Sequence, residues 1–324
     1  MDKILSVCIP TYNRLNYLKE SMNVLLPQAE QLGIDVCISD NASPDSTGEY
    51  LKSLSSQYKC FRYFIQPSNL GLEQNMIKAM SMAETNYILP IGDDEIMVDG
   101  ALRLIIAKLI DKQPDLLILN GWHISSNSKY RREHLPARLQ NHLFDNPIEA
   151  FPELWDKMPL GSFVVSKYCF NDRYFNNFLG TSHAYSAMVW EYLLEKFKLN
   201  GKIHIECSAE HTVLFRSVKK SYSFYSMQIH FYEIPQWFIR LSLEYNRVSR
   251  VILSQYIDKQ SKFASLLKYR ADGQLTHYTV YKFMGEFSDK QRKKALLITK
   301  VPQNVAKFLL LAIKIISTIK NRWL

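Results

Sequence analysis

The chain holds no CxxC pair, and its five cysteines, Cys8, Cys37, Cys60, Cys169 and Cys207, are odd in number and scattered. That spacing excludes a zinc ribbon or finger. Most of them lie inside apolar, strand-like runs, which reads as the reduced core thiols of a cytosolic protein. A leader is also missing from the expectation: in "MDKILSVCIPTYNR" the apolar run is short and broken at Pro10, too early for a signal peptide or a membrane span. There is no internal repeat and no low-complexity segment, which excludes a solenoid. No RNP, KH or zinc-finger pattern accompanies the positive charge, so a nucleic-acid-binding protein is the weakest of the alternatives.

What is present is a chain of 324 residues, 47% apolar, enough for one large domain or two smaller ones with a sizeable core. Forty Lys and Arg against 31 Asp and Glu give a net charge of +9, which suits an anionic partner: nucleic acid, acidic lipid or a phosphorylated small molecule.

Short β-branched or aromatic runs alternate with helical stretches through the first third. "LSVCIP", "DVCISD", "FRYFIQ" and "NYILPI" are strand length, separated by helices expected over Leu15 to Leu26, Ser46 to Leu54 and Leu72 to Ala83. This βαβα order predicts an α/β protein with a mostly parallel sheet covered on both faces. Polar clusters follow each strand: "PTYNR", "SDNASPDS", "PSNLGLEQN" and "GDDE". The carboxyl ends of such strands share one edge, where ligands bind, so the four clusters form one site.

Further along, Ala101 to Lys112 reads as a helix and "DLLILNGW" as a strand, followed by a polar, basic excursion from His123 to Asn146 without regular structure. "GSFVVSK" returns as a strand and Ser182 to Phe197 as a helix; "KIHIECSAEHTVLFR" reads as a strand, a loop and a short strand. From Pro235 amphipathic helices are expected, among them Trp237 to Tyr256 and Lys290 to Lys300. In the last segment Val305, Phe308, Leu309, Ala312, Ile313, Ile316 and Ile319 share one face and Lys307, Lys314 and Asn321 the other, with Trp323 near the end and no acidic residue after Asp289. That pattern fits a helix lying in an anionic membrane surface, or one packed on the domain with its lysines in water.

The fourth cluster poses the chemical question. In "NYILPIGDDEIMVDG" a buried-looking strand ends in Asp93, Asp94 and Glu95 with no cation beside them. Adjacent carboxylates repel and are costly to desolvate, so the missing positive charge points to a ligand.

Taken together, "VCIPTYNRLNYLKESMNVLL", "CISDNASPDST", "PSNLGLEQN" and "ILPIGDDEIMVDGAL" resemble the nucleotide-sugar-binding half of family 2 glycosyltransferases of the GT-A fold, and "FLGTS" resembles the abequosyltransferase-like branch that assembles O-antigens. The resemblance implies a Rossmann-like GT-A domain over residues 1–232, with 1–122 binding the nucleotide sugar and 123–232 the acceptor, then a helical region over 233–324. It implies that Pro10, Thr11 and Tyr12 border the base, that Arg14 assists at phosphate or base, that Asp40 accepts from the base, and that Asn69, Gly71 and Asn75 shape the loop around base and ribose. Asp93 would contact the ribose or a metal-bound water, and Asp94 would ligate a divalent metal, Mn2+ or Mg2+, bridging the diphosphate. Ile91 stands where the commoner DSDD form has its first aspartate. Taken singly, Asp40 or Asn69 could be turn or helix caps, Tyr12 a core-edge residue, and Asp93 and Asp94 caps of the next helix.

The base that deprotonates an acceptor is less legible. His183 is one candidate, and the pair Glu210 and His211 the other. Arg216 would meet the diphosphate or close a salt bridge at the sheet edge. The implied function is a metal-dependent, inverting transfer from a nucleotide-sugar donor to a lipid-diphosphate-linked saccharide, at the inner face of the cell membrane, in surface-polysaccharide synthesis. A sugar nucleotidyltransferase is the alternative on the same fold, disfavoured because "PTYNRLNY" carries no glycine.

Overall fold

The computed structural model describes residues 3–125, 131–216 and 226–320. The chain separates into two compact units, one of Met1–Leu179 with Ala184–Val218, the other of Gly180–His183 with Lys219–Leu324. The second unit takes up the chain from Lys219, whereas the expected boundary is at 232.

In the first unit, β1 (Leu5–Thr11), α1 (Leu15–Leu32), β2 (Asp35–Asp40), α2 (Thr47–Gln57), β3 (Phe61–Ile65), α3 (Leu72–Ser81) and β4 (Tyr87–Pro90) follow the anticipated alternation. All residues of β1 and β2 are buried, as strands covered on both faces must be. α1 outruns its expected end at Leu26. Pro27 removes one N–H from the helix ladder, and neighbouring Gln28 bonds Val24 O at 3.0 Å and Val98 O at 3.2 Å, which ties that turn to the sheet.

Beyond β4 come β5 (Ile96–Met97), α4 (Ala101–Lys112), β6 (Leu116–Ile124), β7 (Arg131–Glu133), β8 (Leu143–Phe144), α5 (Pro147–Leu154), β9 (Phe163–Ser166), α6 (Asp172–Phe178), α7 (Ala184–Asn200) and β10 (Ile205–Arg216). The strands form one sheet in the order β3-β2-β1-β4-β9-β6-β10-β5, with β7 on β6 and β8 on β10. Its first four strands are parallel; β9 then runs antiparallel to both neighbours, so the whole sheet is mixed.

Two readings of the second half are corrected. The stretch from 123 to 146 carries β7, β8 and a 3-10 turn at Ala137–Leu139, because its polar residues pair with strand ends instead of coiling freely. The region 202–216 is one strand, not two. Its register against β6 slips between Cys207 and His211 and again before Val213, so β bulges replace the expected loop. Gly121 on β6 makes room for this: a Cβ there would lie 2.2 Å from Val213 O. All five cysteines are free and buried, as anticipated.

The second unit is helical: α8 (Ser226–Gln228) running through a π turn at Ile229–Glu233, α9 (Ile234–Arg240), α10 (Asn246–Gln260), α11 (Phe263–Ala271), α12 (His277–Phe283), α13 (Asp289–Thr299) and α14 (Gln303–Lys320). The helix expected over Trp237 to Tyr256 is broken by a 3-10 turn at Leu243–Tyr245. Its core gathers Phe231, Leu266, Leu267, Met284 and Phe287, with Phe231 stacked on Phe287 at 5.0 Å. Ser288 and Gln291 cap α13 reciprocally, and Thr276 and Thr279 do so for α12.

The tail helix α14 does not present one apolar face. Ala306, Leu309, Leu310 and Ile313 pack on the helical core, while Val305, Phe308, Leu311, Ile315 and Ile316 are exposed. The side chains of Lys314 and Ile319, and residues Asn321 and Trp323, lie outside what the structure describes. No single described helix is long and apolar enough to cross a membrane.

Buried His134 makes the first unit acid-sensitive. Its Nε2 meets Lys157 O at 3.0 Å and its Nδ1 meets His123 Nε2 at 3.1 Å, while burial pushes its pKa down to about 4. A depressed histidine gives stability that is complete above pH 6.5 and is lost as pH falls toward 4, by at most about 1.4 kcal/mol per pH unit. The destabilisation caused by His134→Gln at pH 7, measured by urea unfolding, is therefore expected to shrink toward pH 4.5. An unchanged difference between variant and wild type across that range would show that His134 takes up its proton as readily in the fold as in the unfolded chain.

Candidate active site

The sheet register sets which residues meet. Ile88 of β4 and Leu116 of β6 both pair with Val165 of β9, so they lie at one level. Asn120, four residues beyond Leu116, pairs with His211 of β10. His211 therefore lies opposite the middle of β6, five residues before Arg216, the β10 residue that meets the acidic segment through Asp94 O. The segment between β4 and β5 must cross the ends of β9, β6 and β10 to reach β5, and it carries the acidic cluster over that edge.

The cation that "GDDE" lacks in sequence comes from the loop after β1. Arg14 Nη1 lies 3.0 Å from Asp93 Oδ1, and its Nη2 lies 2.8 Å from Asp94 Oδ2. Thr11 Oγ1 donates to Asp93 Oδ2 at 2.8 Å. The missing positive charge, expected from a ligand, is supplied in part by a protein side chain 80 positions away. Neither acid caps the next helix, whose N-cap is Gly100. Burial pushes the Asp93 pKa up to about 6 against the opposing pull of Arg14 and Thr11. Burial opposes charge on Arg14 too, but Asp93 and Asp94 outweigh it and hold the guanidinium more firmly protonated than usual.

These oxygens suit a hard divalent cation, and the set decides which one is available. Asp93 spends both oxygens on Arg14 and Thr11, whereas Asp94 gives only Oδ2 to Arg14 and keeps Oδ1 outside those bonds. No group of three His, Cys, Asp or Glu side chains among the described residues could hold an ion alone. A magnesium-like ion completed by substrate phosphate needs only one or two carboxylates, so the donor set fits a cation shared with a diphosphate.

Asp40, at the end of β2, is a turn acceptor in this structure: its Oδ1 takes the Ser43 hydroxyl, and Ser43 N–H approaches at 3.3 Å. Asn69 accepts from Asn41 Nδ2 and from Gly71 N–H, both at 2.9 Å. Asn41 Oδ1 in turn accepts Leu70 N–H at 2.8 Å. Gly71, at φ 85° and ψ 166°, adopts backbone only glycine tolerates and starts α3 from there. Asn75 is buried and bridges β1 to β2, donating to Ser39 O at 2.8 Å and Thr11 O at 3.3 Å while accepting the Ser39 hydroxyl at 2.7 Å. These residues fix the loops into a cradle. Pro10 lies buried in β1, and Tyr12 is half exposed at the mouth.

Arg216, at the end of β10, donates to Asp94 O and pairs with Glu20 of α1. The guanidinium carbons of Arg14 and Arg216 stand 5.0 Å and 5.1 Å from the ring centre of Tyr17. Both arginines therefore belong to the acidic edge, and the sheet-edge salt bridge of Arg216 is also real. Sequence reasoning missed Tyr17 and Glu20, which sit one helical turn inside α1 with no motif to mark them.

The two candidate regions for the base belong to different units. His183 precedes α7 instead of lying on it, in the left-handed region at φ 68°, with its Nδ1 2.8 Å from Ser182 Oγ, and it belongs to the helical unit. Glu210 takes the Ser208 hydroxyl at 2.5 Å and faces Lys108 at 3.3 Å. Although burial opposes it, these partners hold its pKa below the usual carboxylate value. His211 stacks on Trp122 at 4.5 Å and 14°, and its Nε2 lies 2.7 Å from Glu133 Oε1. Sequence reasoning missed Asn120, Trp122 and Glu133; the one signal was the polar Asn120 interrupting an apolar strand.

Removing Arg14 should leave two buried carboxylates without a counter-charge, at a cost of about 3 kcal/mol. Arg14→Ala is expected to melt lower than wild type, with the loss partly restored by millimolar Mn2+ or Mg2+ in a thermal-shift assay. A variant that melts like wild type would refute the role of Arg14, and a loss indifferent to metal would refute the cation site.

Comparisons with known proteins bear on the family and the fold. A family model described as glycosyl transferase family 2 matches residues 6–170. Abequosyltransferase RfbV of Salmonella typhimurium is 35% identical over 117 residues, covering 36% of this chain and 35% of that protein. Glycosyltransferase GlyG of Streptococcus pneumoniae is 28% identical over 123 residues, covering 38% of this chain and 40% of its own. The matches thus span little more than a third of these relatives. Among solved structures, S. aureus TarS 1-349 in complex with UDP-GlcNAc superposes with TM-score 0.60 at 14% identity, covering 94% of this chain and 90% of that one. Mannosyltransferase PcManGT from Pyrobaculum calidifontis, in complex with GDP-Man and Mn2+, gives TM-score 0.50 at 12% identity over 91% and 86% of the two chains. With the family model covering half its length and the same α/β fold in these structures, the chain belongs to glycosyl transferase family 2.

Proposed function

We propose that the chain transfers a sugar from a nucleoside-diphosphate sugar to the hydroxyl of a saccharide, with inversion at the anomeric carbon. The observation that carries this reading is the Arg14, Asp93 and Asp94 cluster beside the Asn41, Asn69 and Gly71 cradle at one carboxyl edge. A cradle with an acidic cation site suits a diphosphate leaving group better than it suits polymeric nucleic acid, whose phosphates would meet carboxylates.

The parts divide the work as follows. Asp40, Asn69, Gly71 and Tyr12 border the base and ribose, and the rigid β1–β2 bridge through Asn75 keeps that cradle fixed. Asp94, supported by Asp93, would hold a Mn2+ or Mg2+ ion, which when bound neutralises charge on the departing diphosphate. Arg14 and Arg216 add positive charge at the same edge. His211 takes the proton of the acceptor, since Glu210 is committed to Lys108.

For the acceptor we propose a lipid-diphosphate-linked saccharide in bacterial surface-polysaccharide synthesis, at the cytoplasmic face of the membrane. Support comes from the likeness to a relative named as an abequosyltransferase, and from α14. Five exposed apolar residues on that helix accompany a chain end with no acidic residue after Asp289. Apolar insertion and lysine attraction to anionic lipid reinforce each other.

A thermal-shift screen against uridine, cytidine, guanosine and thymidine diphosphates and their sugars, with and without Mn2+, tests the donor site. Metal-dependent stabilisation by one nucleotide class is expected, and Asp94→Asn should abolish it without lowering the melting point of the free protein. Turnover undiminished in that variant would remove the metal from the account. For the membrane, Phe308→Ser with Leu311→Ser and Ile315→Ser should cut sedimentation with anionic phosphatidylglycerol vesicles at least several-fold. Equal sedimentation of the triple variant would refute the role of α14.

A further inference from the structure

The excursion that carries β7 places a carboxylate where the proposed mechanism uses one. We infer that Glu133 is a positioning residue for His211, fixing the tautomer of the imidazole and stabilising its charged form during sugar transfer. The inference rests on the transferase reading above, with His211 as base.

Contacts among three strands define the arrangement. Glu133 Oε1 lies 2.7 Å from His211 Nε2, which as an N–H donor leaves Nδ1 as the basic nitrogen. The ring of Trp122 stacks on the imidazole and fixes its plane. Trp122 and Glu133 are cross-strand partners in the β6–β7 ladder, so ring and carboxylate are set by one register. Asn120 Nδ2 reaches the same Glu133 oxygen at 3.4 Å and the Ala209 carbonyl at 3.2 Å. Its Oδ1 accepts Gly121 and Leu135 N–H, at 2.9 Å and 3.0 Å, and so locks the strand leaving β7.

The bulges in β10 belong to the same device. The register slips on both sides of His211, and just beyond it Gly121 and Val213 approach so closely that a Cβ on Gly121 would lie 2.2 Å from Val213 O. An ordinary surface ion pair has no need of such framing and contributes little to stability. His211 and Glu133 are each about one third exposed, so the imidazole is held and still reachable.

The acceptor oxygen forms its bond to the anomeric carbon as its proton passes to His211 Nδ1. The bond from that carbon to the diphosphate oxygen breaks, and its electron pair leaves with the diphosphate. The imidazolium so formed faces the Glu133 carboxylate. The charged groups around it are Glu133 from β7 and, on its own strand, Glu210, which is neutralised by Lys108 of α4. Asn120 and Trp122 of β6 are uncharged.

The test compares Glu133→Gln and Glu133→Asp with wild type, using release of nucleoside diphosphate from the panel of nucleotide sugars. Glu133→Gln should lower kcat about 10- to 100-fold with the donor KM unchanged, and Glu133→Asp should recover part of it. Loss of the carboxylate charge disfavours the imidazolium, so the acid limb of kcat/KM should move to lower pH. Nitrogen-15 NMR of the histidine ring should show a single Nε2–H tautomer in wild type and a mixture in Glu133→Ala. A fall in kcat without movement of the acid limb would mean Glu133 acts only through the fold, and overturns the inference. An active wild type with an equally active Glu133→Gln overturns it while sparing the transferase reading. A wild type that turns over no donor overturns both.

Discussion

The bidentate pairing of Arg14 with Asp93 and Asp94 is the interaction on which the site depends. Two adjacent carboxylates, each almost fully buried, can stay ionised at a sheet edge only beside a positive charge. The guanidinium supplies it from the loop after the neighbouring strand, so the first strand and the fourth are joined by charge as well as by the β1–β4 ladder. The same cation draws in Tyr17, and through Tyr17 and the Asp94 carbonyl the end of β10. The edge is therefore a closed electrostatic circuit: loop after β1, acidic segment, end of β10, and back to α1 through Glu20.

This arrangement explains why the first third of the chain was readable. Strands buried on both faces leave continuous apolar runs, and polar residues that gather at each carboxyl end stand out against them. Thr11, Arg14, Asp40, Asn69, Asp93 and Asp94 are all visible by that contrast. What they do to one another was not visible. Adjacency in sequence suggested that the acids lacked a cation, while the partner lay 80 positions away, and nothing short of the fold pairs them. Asp40 is the local case, since its partner Ser43 stands only three positions on.

The second half was harder for a different reason. Once β9 runs antiparallel and β10 carries bulges, alternation of apolar and polar residues no longer marks one strand. The register slip around His211 produced the appearance of a loop between two strands. Glu133 and Trp122 gain their meaning only through the β6–β7 ladder, and a three-residue strand such as Arg131–Glu133 is too short to leave a periodic trace. In α14 the pattern was amphipathic but not in the simple sense: a core-facing stripe and a bare apolar stripe lie side by side, and helical period alone merges them.

The acidic segment is also a strap under geometric limit. From Pro90 to Ile96 the chain makes six steps, worth at most about 21 Å when extended. In that length it must pass from β4 across β9, β6 and β10 to β5, four gaps that amount to about 19 Å in a flat sheet. A turn within it, closed by Glu95 N–H on Gly92 O, shortens its reach further, so the sheet must coil to bring β5 within range. The spacing of the two aspartates is thus coupled to the curvature of the sheet. An inserted or deleted residue here would alter the coil of half the domain, which leaves exchange of side chains in place as the only cheap route by which this motif can diversify.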